Sequence, residues 1–191
     1  IFKSITIRAS IAFIIAFMFM LIFGKPFIKW LKKKKYGDTA REEGPQSHFS
    51  KSGTPTMGGL LIIGAIIFST LIAGNFTNKF IIFLFIITIL FTTIGFYDDY
   101  LKLTKHKNGL SGKKKILGQF IITGLTFVFI CKYGVINKTL DFSIVNPIIK
   151  GSFLYITPVL FFVFMLFVII GSSNAVNLTD GLDGLVSGPI I

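Results

Sequence analysis

Residues 80–100 read FIIFLFIITILFTTIGFYDDY, a run of 18 positions without a charge that ends on two adjacent carboxylates, Asp98 and Asp99. A helix needs about 20 residues to cross the hydrocarbon core of a bilayer, so the run predicts a membrane span from Phe80 to Tyr97. A carboxylate so close to hydrocarbon is costly unless it is paired or used. The end of this segment is therefore both a fold boundary and a candidate site.

Comparable apolar runs extend outward on both sides, near 5–23, 57–73, 116–136 and 153–170, and another begins near Leu185. The reading is an all-α, polytopic transmembrane protein, a single membrane domain over 1–191 with five spans and the start of a sixth. The second run is the shortest and the richest in glycine (Gly58, Gly59, Gly64), which suits close packing on a neighbour. Pro158 falls in the first turn of the fifth, where a missing N–H is tolerated. The first run leads into Lys25 and Pro26 rather than a small-residue cleavage site, and reads as a retained helix. A start on Ile1 and an end on Ile191, within renewed apolar sequence, suggest a fragment.

Composition agrees. The 191 residues are 52% hydrophobic with 23 Phe, and the mean hydropathy is +0.77, too apolar for an ordinary soluble domain. The net charge of +12 would suggest nucleic acid if it lay on a soluble fold. Instead the basic residues cluster between apolar runs, so no nucleic-acid partner is expected. Cys131 is the single cysteine, which removes disulfides and cysteine-based metal sites and leaves it a packing role.

Lysine and arginine are retained on the cytoplasmic side. They crowd into 24–56 and 98–115, including Lys32–Lys35, Lys51, Lys102 and Lys113–Lys115, whereas the alternate connections hold Lys79, Lys132, Lys138 and Lys150. The loops 24–56, 98–115 and 171–191 are thus expected in the cytoplasm. Seven of the eight acidic residues lie on that face, Asp141 being the exception. Any chemistry belongs to the cytoplasmic interface.

Three constellations there could carry it. Asp98 and Asp99 offer hard oxygen ligands for a divalent cation or a general base. Equally, they could be a solvated helix end, or form an ordinary ion pair with Lys102. The segment Asn174-Ala-Val-Asn-Leu-Thr-Asp-Gly-Leu-Asp-Gly184 supplies five polar side chains, among them two Asn and two Asp, and two glycines. It could hold nucleotide or metal, or simply close a loop through two Asp-Gly turns; its spacing does not make an EF-hand. The third is the loop Gly44-Pro-Gln-Ser-His-Phe-Ser-Lys-Ser-Gly-Thr-Pro-Thr-Met-Gly-Gly59. Its prolines and glycines set turns that could present Lys51 and Thr56 to phosphate or a base edge, or form an irregular solvated loop. His48 and His106 are not persuasive alone. The Lys113–Lys115 run is a membrane anchor by default and a phosphate contact by function.

In order, spacing and membrane placement, the Gly44–Gly59 loop, the Asp98-Asp99-Tyr100 element and the Asn174–Gly184 segment together resemble the phospho-N-acetylmuramoyl-pentapeptide-transferase family, a branch of the glycosyltransferase 4 superfamily of polyprenyl-phosphate phosphosugar transferases. The resemblance implies a helical enzyme of about ten spans in the bacterial cytoplasmic membrane, its active site facing the cytoplasm. It would move phospho-MurNAc-pentapeptide from UDP-MurNAc-pentapeptide to undecaprenyl phosphate, with Mg2+, giving lipid I and UMP in peptidoglycan synthesis. Membrane lipids are natural partners and a homodimer is compatible with it. By residue, it implies Asp98 as base or carrier-phosphate partner, Asp99 beside it in the metal and phosphate site, and Lys102 and Lys114 as phosphate partners. Lys51, Thr56, Asn177, Asp180 and Asp183 would form the nucleoside pocket, Lys51 and Asp183 on the uracil side. The family's third essential Asp and His-rich loop fall in the C-terminal half, so residues 1–191 alone are expected to be inactive.

Two alternatives are weighed against this. Another polyprenyl-phosphate phosphosugar transferase would share the acidic motifs but not the Gly44–Gly59 loop. A transporter or channel subunit would place acidic or polar side chains in mid-span, whereas the apolar segments are read as offering Thr, Ser and Gly alone.

Overall fold

The computed structural model describes residues 4–34, 57–104, 109–135, 142–145, 148 and 153–179. Five α-helices run Ile5–Lys33 (α1), Gly59–Ala73 (α2), Lys79–Thr104 (α3), Gly112–Phe129 (α4) and Pro158–Thr179 (α5). A π-helical turn, Ile130–Val135, prolongs α4, and two short strands, Ser143–Val145 (β1) and Phe153–Tyr155 (β2), precede α5. The chain forms two compact units, Ile1–Leu110 and Ser111–Ile191.

Among the described residues, four helical segments are long and apolar enough to cross a membrane: α1, α3, α4 with its continuation to Gly134, and α5 to Asn177. The second of the five expected spans falls short: α2 has 15 residues, about 22 Å at the helical rise. Large apolar side chains point outward, with Phe13 70%, Leu84 62% and Phe167 76% exposed. Such a surface suits lipid as solvent, since the backbone bonds are satisfied within each helix. The protein is a polytopic membrane protein.

In the first unit, α1 does not stop at Phe23 as expected but continues through Pro26 to Lys33. Proline removes the N–H that would bond to the carbonyl of Ile22, a cost that normally ends or kinks a helix. Packing offsets it. Leu31 is 1% exposed, Phe27 and Trp30 stack at 5.8 Å, and Trp30 shares a groove with Leu60 and Leu61 of α2. Lys32 and Lys33 occupy the last turn, where the helix dipole favours cations.

The helix pair α1 and α2 is antiparallel: Phe19 meets Phe68 at 5.6 Å while Trp30 lies near Leu60. The buried face of α2 is Leu61, Ala65, Ser69 and Ala73, one residue per turn. Small side chains there let the backbones come close. The close approach expected of the glycines falls instead to these alanines and the serine: a Cβ at Gly58 or Gly59 would meet nothing within 4 Å, and one at Gly64 would rest at an ordinary 3.9 Å from the Phe19 ring.

In the second unit, Phe162 of α5 packs on Phe120 and Phe127 of α4 at 5.9 and 5.1 Å. The strands pair antiparallel, Ser143 opposite Tyr155 and Val145 opposite Phe153, and Phe142 contacts Phe161 at 5.4 Å. The fifth span therefore starts at Pro158, not Phe153. Aromatic and branched residues favour the pleated form just before it. The switch to helix is set by Thr157, whose hydroxyl accepts the Leu160 N–H at 3.3 Å, and by Pro158 at the first helical position.

Candidate functional site

The helix α3 does not end where its apolar run ends. It carries on from Tyr97 to Thr104, which places Asp98, Asp99 and Lys102 on one helical ramp in place of the expected loop. Lys102 lies four residues after Asp98 and three after Asp99, and both spacings bring side chains together on a helix. Its ammonium reaches Asp98 Oδ2 at 3.0 Å and Asp99 Oδ1 at 3.2 Å. The ion pair weighed from sequence is real, and it is shared between both carboxylates.

The two aspartates differ in setting. Asp98 is buried, 7% exposed, and its Oδ1 accepts the backbone N–H of Leu110 at 2.7 Å. Asp99 is more open, with a third of its side chain accessible. The chain can return over Asp98 only because residue 109 is glycine. Its φ is +56°, and a Cβ there would sit 2.6 Å from Asp98 Oδ1 and 3.0 Å from Lys102 Cε. Gly109 and the Leu110 amide are the site elements that sequence reading missed. The available signal was the Asn108-Gly109 dipeptide, which favours a tight turn.

Ion pairs in contact with solvent stabilise a protein by about 0–1 kcal/mol, and the Lys102 side chain is 37% exposed. Stability alone does not account for two carboxylates at the end of a membrane helix. Their chemistry is to offer adjacent hard oxygens beside a cation. No group of three metal-ligating side chains occurs among the described residues. The donor set suits a hard divalent ion held by one or two carboxylates and by phosphate oxygens of a substrate.

Lys113, Lys114 and Lys115 fill the first turn of α4. Cations there oppose the helix dipole, so they do not serve the helix. Lys113 and Lys114 are exposed and available to anions. Asn177 lies exposed in the last turn of α5. Lys51, Thr56, Asp180 and Asp183, with His48 and His106, fall outside the described residues. Met57, at the end of the Gly44–Gly59 loop, is buried at 8% exposure and takes φ 68°. That backbone conformation is strained for a side chain of this size, and such strain gathers at functional sites.

A second polar cluster corrects the reading of the span interiors as Thr, Ser and Gly alone. Arg8 lies in α1, and Gln119 lies in α4 at 1% exposure. Asn174 Nδ2 donates to Gln119 Oε1 at 2.8 Å and to the Ile170 carbonyl at 2.8 Å, while Gln119 Nε2 donates to Ser173 Oγ at 3.2 Å. The Gln119, Ser173 and Asn174 cluster is neutral and hydrogen-bonded, whereas Arg8 is a charge in the first turns of α1 whose buried Nε has no hydrogen-bond partner among the described residues.

Residues 80–191 match the family model for glycosyl transferase family 4, and residues 51–63 match signature 1 of phospho-N-acetylmuramoyl-pentapeptide-transferase. The chain is 46% identical over 190 residues to a Fusobacterium nucleatum protein named phospho-N-acetylmuramoyl-pentapeptide-transferase, covering 99% of this chain and 52% of that one. Proteins of the same name from Francisella tularensis and Francisella philomiragia are 42% and 41% identical, each match covering 98% of this chain and 51% of the relative. The chain spans about half the length of these curated relatives. With its aspartate cluster and its Asn174–Gly184 segment both inside the matched region, the chain belongs to glycosyl transferase family 4.

Proposed function

We propose that this chain forms the N-terminal half of an enzyme that transfers phospho-MurNAc-pentapeptide from UDP-MurNAc-pentapeptide to undecaprenyl phosphate, yielding lipid I and UMP in peptidoglycan synthesis. The observation that carries the reading is the signature match at 51–63, joined in one unit to the Asp98, Asp99 and Lys102 cluster. The signature bears the name of this transferase and supports this transfer over that of other phosphosugar transferases.

The reaction exchanges one phosphoanhydride for another, so its demands are alignment and neutralisation of charge. Asp98 is held by Lys102 and the Leu110 amide in one orientation, which suits it to take a proton from, or align, the carrier phosphate. Asp99 keeps an oxygen outside the ion pair, and with Asp98 it would hold Mg2+. When bound, that ion supplies charge neutralisation at the phosphates. Lys102 and Lys114 present cations to phosphate oxygens. Lys51, Thr56, Asn177, Asp180 and Asp183 contact the nucleoside, with Lys51 and Asp183 at the uracil.

We place the loops 24–56, 98–115 and 171–191 in the cytoplasm of a bacterial cell, on the positive-inside asymmetry. Residues 1–191 act as one membrane domain in this proposal, and a homodimer is compatible with it.

The test completes residues 1–191 with the remaining family length in detergent and phospholipid. It measures Mg2+-dependent UMP release from UDP-MurNAc-pentapeptide with undecaprenyl phosphate. Turnover is expected, with Asp183→Asn raising the donor KM about tenfold or more. Turnover of a different UDP-sugar in its place would overturn the peptidoglycan assignment while keeping the family.

A further inference from the structure

We infer that Gln119 is a positioning residue that sets the rotation of α5 and thereby aims the nucleotide-contacting segment beginning at Asn174. The inference rests on the proposed reaction for what α5 carries, and on geometry for the clamp itself.

From Pro158 to Ile170, α5 is apolar on every side. Such a helix gains little from facing one way or another in lipid, because hydrocarbon solvates all its faces alike. Its rotation must be fixed by specific contacts. The aromatic packing of Phe162 against Phe120 and Phe127 supplies one, three turns away from Asn174. Near the polar end, the fixed contact is the amide cluster. Gln119 is 1% exposed and Thr123, one turn on along α4, is 0% exposed, so this part of the α4 surface is sealed.

The amide geometry is specific. Gln119 Oε1 accepts from Asn174 while its Nε2 donates to Ser173 Oγ, so two successive residues of α5 are gripped by the two ends of one side chain. Neighbouring residues on a helix diverge by about 100°, and gripping both fixes the azimuth in a way one contact could not. A buried polar group that specifies register in this way is a well-attested role. Asn174 and Asn177 are three apart and share a face. A turn of α5 that released Asn174 would swing Asn177 with it and weaken the contact that Asn177 makes with the donor.

The experiment uses the completed chain and two readouts. Gln119→Met keeps an unbranched side chain and removes both hydrogen-bonding ends. Ser173→Ala removes one grip. Thr123→Val perturbs the same buried face, removing the hydroxyl that donates to the Gln119 backbone carbonyl at 2.8 Å while leaving both side-chain amide hydrogen bonds of Gln119 in place. The expected result is a donor KM raised about tenfold by Gln119→Met and less by Ser173→Ala, with kcat within about twofold, and no change for Thr123→Val. A merely structural role would lower the amount of active enzyme and leave KM unmoved.

The second readout is maleimide labelling of Asn177→Cys in a Cys131→Ser background, which reports the direction of α5 without turnover. Gln119→Met should change the labelling rate and Thr123→Val should not. Unchanged labelling overturns the clamp. Changed labelling with unchanged KM overturns its role in aiming the nucleotide segment. If the unsubstituted enzyme ignores this donor yet Gln119→Met changes labelling, the clamp stands and the donor assignment falls.

Discussion

Among the described residues, two polar clusters interrupt the apolar helices, and they are built on opposite plans. The one at the end of α3 is ionic and partly open, with Lys102 37% exposed between two carboxylates. The one between α4 and α5 is neutral and closed, with Gln119 1% exposed. A charge must keep access to water or to another ion to be tolerated near hydrocarbon, and that access is also what a substrate uses. A neutral amide can be sealed, because each end finds a partner, and sealing makes it a rigid clamp. On the proposed function, the open cluster suits the reacting end and the closed one suits its support.

Breaking the ionic cluster should cost most. Lys102→Met leaves Asp98 without its ammonium and removes the proposed phosphate partner, and should lower kcat by about 100- to 1000-fold in the UMP-release assay. A fall of less than about fivefold would demote the cluster to a helix-end ion pair.

Gly109→Ala sharpens the same side. The left-handed conformation costs an alanine about 1–2 kcal/mol, and its Cβ would press on Asp98 Oδ1. Transfer should drop about tenfold or more, and thermal unfolding should show a lower midpoint. Lys113→Gln and Lys114→Gln together should weaken the enrichment of anionic over zwitterionic lipid around the reconstituted protein by roughly 1 kcal/mol per charge, and the deficit should shrink with added salt.

The smallest effect belongs to a glycine that only fits a helix interface. At Gly64 a Cβ meets the Phe19 ring at an ordinary 3.9 Å, and alanine is the better helix former by about 1 kcal/mol. Gly64→Ala should leave activity unchanged and stability equal or slightly higher in a denaturation series.

The spans were legible because length and apolarity are local properties: α3, α4 and α5 appear close to where their runs fall. The overrun of α1 past Pro26 was not, since it depends on Leu31 finding a buried place. The short strands before α5 escaped because Phe153–Tyr155 is as apolar as the helix that follows. At the site, an ion pair of the aspartates with Lys102 could be weighed from their closeness in sequence, while the helical overrun that brings the three together and the Leu110 amide could not. Gln119 was missed for a related reason: its partner Asn174 is 55 residues away, and a lone amide in an apolar run carries no sign of what it meets.

The most direct test of the central claim, that the buried carboxylate at the end of α3 is the reacting group, is Asp98→Asn in the completed chain. Asparagine keeps the shape and an oxygen to accept the Leu110 N–H, and loses the charge. Mg2+-dependent UMP release should fall by about 1000-fold or more with donor binding retained. Turnover within about tenfold of the unsubstituted enzyme would contradict the account.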